Sequence, residues 1–86
     1  MSKLEQIKAQ VRAVAQQAIS LAGQLTQISN KLSSNVGQVT QAIGGTADGA
    51  DQEMSLAFQQ ADASVKQAAV SMQIAAQKAN EWAQNA

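Results

Sequence analysis

Cysteine, histidine, proline and tyrosine are absent from this 86-residue chain. The lack of cysteine rules out disulfides and thiolate metal sites, and the lack of histidine leaves carboxylates as the only strong side-chain ligands. The usual pairings of a nucleophile with a neighbouring base cannot be assembled from what remains. No apolar run is long enough to span a bilayer. The start, Met1-Ser2-Lys3-Leu4-Glu5, lacks the basic-then-apolar pattern of a cleaved signal peptide. The lack of cysteine suits the cytoplasm and secretion equally. Glycine is scarce, whereas alanine and glutamine are abundant, which is the composition of long helices. A chain this short forms one domain, 1–86. Its core is limited, and such domains often lean on a partner.

Apolar residues recur at three-four spacing through the first half: Leu4, Ile7, Val11, Val14, Ala18, Leu21, Leu25, Ile28 and Leu32, then Asn35, Val39 and Ala42. This is the seam of a coiled coil or of two packed helices. Ser33-Ser34-Asn35 is its weakest stretch, but the stripe resumes at Val36, so one continuous helix is expected. The pattern stops from Ile43 to Asp51, where three glycines and small polar residues spell helix stop, tight turn and helix start. Thr46 or Asp48 is the expected cap of the next helix. The second half repeats the spacing with smaller residues: Met54, Phe58, Ala61, Val65, Ala68, Met72, Ala75, Ala79 and Trp82. Large residues facing alanine permit a close antiparallel approach. The expected architecture is therefore all-α: a two-helix antiparallel hairpin, helix 3–42, turn 43–50, helix 51–84. Leu56, Ala63 and Val70 recur every seven residues opposite this stripe, with Ile74 near them. Leu56, Val70 and Ile74 are the expected partner-binding residues, because a thin hairpin buries little by itself.

Net charge is zero but divided. Residues 1–43 carry Lys3, Lys8, Arg12 and Lys31 against Glu5; residues 44–86 carry Lys66 and Lys78 against Asp48, Asp51, Glu53, Asp62 and Glu81. The halves are thus +3 and −3, and can lie side by side without repulsion. Four cations spread along a helix with no aromatic among them are a poor footprint for nucleic acid. A surface-lying membrane helix needs more bulky apolar and basic residues on one helix, which disfavours membrane contact. Asp48, Asp51 and Glu53 cluster at the turn, where helix capping accounts for them. Asp48-Gly49-Ala50-Asp51-Gln52-Glu53 lacks the alternating acids and the distal glutamate of a calcium loop. No catalytic residue, metal site or cofactor is expected.

This organisation resembles the small Trp-X-Gly proteins of bacterial type VII secretion, the early-secreted-antigen family. The likeness lies in length, in turn position, and in the lack of cysteine and of a signal peptide. Ile43-Gly44-Gly45 stands where the family has its W-x-G turn, with isoleucine in place of tryptophan. Phe58 lies where many members carry a second aromatic. Phe58 and Asp62 have a spacing related to the family's Tyr-x-x-x-Asp/Glu export signal, but earlier in the second helix, and the chain has no tyrosine. The resemblance implies a secreted substrate, or a targeting partner for a larger secreted effector, that completes a four-helix bundle. The implied partners are another hairpin, as a homo- or heterodimer, or the helical N-terminal domain of an effector, with a secretion ATPase as a further contact. It also implies export without a classical signal peptide, or a cytoplasmic stage before export. The alternative reading is a self-associating coiled-coil or filament subunit.

Overall fold

Ser2 opens the first helix. Its hydroxyl accepts the Glu5 backbone N–H at 3.1 Å, the serine half of an S-x-x-E capping box. The computed structural model describes residues 2–43 and 49–86, Asp51 by its backbone alone. Helix α1 then runs unbroken over Lys3–Ile43, through Ser33-Ser34-Asn35. Ile43 is its last residue, while Gly44, Gly45, Thr46 and Asp48 lie outside the described residues. Helix α2 covers Ala50–Asn85, and its N-cap is Gly49 at φ 69. That left-handed conformation is open to glycine and strained for other residues. The expected capping residues Thr46 and Asp48 lie outside the described residues.

Polar contacts across the pair set its direction. Ser29 hydrogen-bonds Asp62, and Thr40 lies 3.2 Å from Ser55, hydroxyl to hydroxyl. Numbers rising on α1 meet numbers falling on α2, so the helices are antiparallel. The result is a rod of 67 × 13 × 12 Å.

The seam differs from the one the three-four spacing predicts. Val11, Ala18, Leu25, Leu32 and Val39 face inward as expected and are half-buried. Their seam partners are Ala15, Ala22 and Ser29, four residues on from Val11, Ala18 and Leu25, and all three are buried. The expected partners Ile7, Val14, Leu21 and Ile28 are exposed, as is Leu4 at the start of the stripe. Helix α2 shows the same shift. Phe58, Val65, Met72 and Ala79 line the seam with Asp62, Ala69, Ala76 and Ala83, leaving Met54, Ala61, Ala68, Ala75 and Trp82 outside. Small side chains at every seventh position permit a close approach of two helix backbones. Column size explains the difference: a seam one small residue deep brings the half-buried columns of both helices into contact.

Gly23 and Gly37 lie within α1, and a Cβ at either would meet no atom within 4 Å. Alanine at each position is therefore expected to raise stability by about 1 kcal/mol, the helix-propensity difference. Chemical denaturation of the two single variants measures this, and a loss of stability at either would show a contact to glycine itself.

Candidate partner interface

Chemistry inside the seam is concentrated at one level. Ser29, buried, donates its hydroxyl to Asp62, and Ser33 donates to the other carboxylate oxygen at 3.4 Å. Lys66, one turn on in α2, pairs with that carboxylate at 3.1 Å. Chiefly through the Ser29 hydrogen bond, and against partial burial that acts upward, these contacts hold the Asp62 carboxyl below the ordinary aspartate range. A carboxyl with a depressed folded pKa stabilises the fold above its unfolded pKa, near 4. That contribution is lost as pH falls through the lower folded value. Asp62→Asn is therefore expected to flatten the loss of stability below about pH 4. Urea midpoints at neutral and acid pH read this directly. A parallel fall in variant and parent would remove Asp62 from the account.

Beside this cluster is a shallow groove of about 360 Å³, lined by Thr26, Ser29 and Asn30 from α1 and Lys66, Ala69, Val70 and Gln73 from α2. It holds one cation and no acid–base pair aimed at a common point. Among the described residues, no group of three or more acids is placed to hold a metal ion, and no helix is long and apolar enough to cross a membrane.

The larger feature is the opposite flank. Ile7, Val14, Leu21 and Ile28 form one exposed column of α1, one residue every two turns. Met54 and Trp82 are exposed on the adjoining column of α2, with the exposed alanines 61, 68 and 75 between them. The register set by Ser29–Asp62 and Thr40–Ser55 interleaves the two columns. Trp82 falls at the level between Ile7 and Val14, Ala75 between Val14 and Leu21, and Ala68 between Leu21 and Ile28. From Ile7 to Ile28 the patch is about 32 Å long and two helices wide, on the order of 600 Å². That is at or above the largest apolar patch of an ordinary monomer.

The residues singled out from the sequence fall in three places. Leu56, Val70 and Ile74 are exposed on α2 away from the flank, and Val70 lines the groove. Val70 and Ile74 are one turn apart, whereas Leu56 lies about 21 Å along the helix from Val70. Phe58 and Asp62 turn into the seam, where Asp62 is taken up by Ser29, Ser33 and Lys66. Ile43 closes α1, and Gly44 and Gly45 are outside the described residues. Sequence reasoning missed the flank because it placed Ile7, Val14, Leu21 and Ile28 inside. The available signal was the alanine column at 15 and 22, which competes with them for the seam. Compared with protein-family models, curated proteins and solved structures, the chain matches none.

Proposed function

We propose that this chain is a non-catalytic, protein-binding hairpin of type VII secretion, a secreted substrate or the targeting partner of a larger secreted effector. It acts by laying its apolar flank against a partner's helices to complete a four-helix bundle. The observation that carries the binding role is the inversion of the seam. Among the described residues, the fully buried apolar ones are all alanines, while Ile7, Val14, Leu21, Ile28 and Trp82 stand exposed. Burying one large aliphatic side chain contributes about 1.5–3 kcal/mol. A hairpin that leaves a column of them in water keeps its main source of apolar stabilisation for an interface. Support for the secretion setting comes from the resemblance in length, in turn position and in the Ile43-Gly44-Gly45 sequence.

In the native cell, deleting the type VII secretion ATPase is expected to remove the chain from the culture medium while its intracellular level holds. Mass spectrometry of medium and cells measures both. A chain still found in the medium after the deletion, or found neither outside the cell nor bound to an exported protein, overturns the secretion setting.

A further inference from the structure

The binding reading leaves the partner open. We propose that the flank is covered by a second copy of this chain, related by a two-fold axis parallel to the rod, so that both turns lie at the same end. This rests on the bundle-completing role proposed above and deepens it.

Three features of the flank point to that occupant. The first is shape. Over the middle of the flank, between Met54 and Trp82, the large residues lie on α1 and the small ones on α2: Val14, Leu21 and Ile28 against Ala61, Ala68 and Ala75. A two-fold axis along the rod places α1 of one copy over α2 of the other and leaves every level unchanged. Leu21 of one copy then meets the interval between Ala68 and Ala75 of its mate, and Ile28 the interval between Ala61 and Ala68. Each large side chain enters a gap floored by alanine, as knobs enter holes in packed helices. Trp82 of one copy covers the interval between Ile7 and Val14 of the other. A two-fold axis across the rod would instead set α1 on α1, large column on large column, and leave the alanine columns facing each other.

The second feature is charge. The first half of the chain is +3 and the second −3. The parallel axis sets unlike halves together, whereas the crossing axis sets like on like. The third is area. The flank, on the order of 600 Å² on each copy, approaches the ~800 Å² per partner of a standard interface, and a self-complementary patch is what a two-fold dimer requires.

The test uses the full chain, which carries no cysteine of its own. Gln52 is exposed near the turn end of α2. A Gln52→Cys variant carrying a nitroxide, checked for parent-like helicity by circular dichroism, gives one label per copy. Sedimentation equilibrium is expected to show a discrete dimer. Pulsed electron–electron resonance is expected to show a label separation of roughly 30 Å, from the width of a four-helix bundle. A dimer whose labels stand near the 67 Å length of the rod overturns the parallel alignment. A monomer at all concentrations overturns the second copy, and so does an open-ended polymer. None of these outcomes bears on ATPase-dependent export, and a failure of export leaves the dimer measurement standing.

Discussion

Leucine in place of Ala22 is expected to destroy most of the hairpin's cooperative stability. Ala22 is 1 % exposed and sits in the seam. Three added carbons cannot turn outward from a seam position, so the helices must separate or the side chain must leave its rotamer. Overpacking of this kind costs about 1–3 kcal/mol. In a domain this small that corresponds to a fall of roughly 10 °C in melting temperature. Ala76, 2 % exposed on α2, should respond in the same way. Ser20→Leu is the comparison: Ser20 is exposed on α1, and the same added volume there should change stability by no more than about 0.5 kcal/mol. Melting of the three variants by circular dichroism decides the matter. Equal midpoints for Ala22→Leu and Ser20→Leu would mean that alanine is not required at the seam.

That prediction turns on the one part of the architecture that apolar spacing misplaces. Two long helices and their glycine-rich connection follow from periodicity, which reads the existence of helices well. The side each helix turns inward is a different question. On α1 the columns beginning at Leu4 and Ile7 and those beginning at Leu4 and Lys8 both satisfy a three-four spacing. The first is more apolar and wins any count of hydrophobic residues. The second is smaller, and it is the one buried, with Ala15, Ala22 and Ser29. Hydropathy ranks columns by transfer free energy, whereas two helices with nothing else to pack against are governed by how closely their backbones can approach. The same confusion hid the polar contact at the seam's centre. Asp62 falls outside the apolar stripe, so its meeting with Ser29 could not be read from either helix alone. Leu56, Val70 and Ile74 stand exposed on α2 because they belong to neither competing column, and Val70 lines the groove beside Ser29.

The flank gives the second large effect. Aspartate at both Leu21 and Ile28 is expected to leave the seam intact and abolish association. Neither side chain packs into the hairpin's own seam, since Leu21 is 44 % and Ile28 45 % exposed. In the two-fold dimer both are covered, each contributing about 1.5–3 kcal/mol of burial, and every dimer loses four such groups. Four introduced carboxylates would also be buried without partners, which adds a further penalty. The parent chain should therefore melt at a temperature that rises with protein concentration, as mass action requires of an assembly. The variant should melt lower and at a temperature independent of concentration. Trp82, the single tryptophan, reports the same event: its indole leaves water when the flank is covered, so dilution of the parent should shift its emission to the red, and the variant should start there. Val70→Asp with Ile74→Asp places the same charges on α2 away from the flank, and a parent-like dimer is expected from it. If that pair dissociates the assembly while Leu21→Asp with Ile28→Asp does not, the partner lies on the Val70 and Ile74 side of α2 and the flank is ordinary surface.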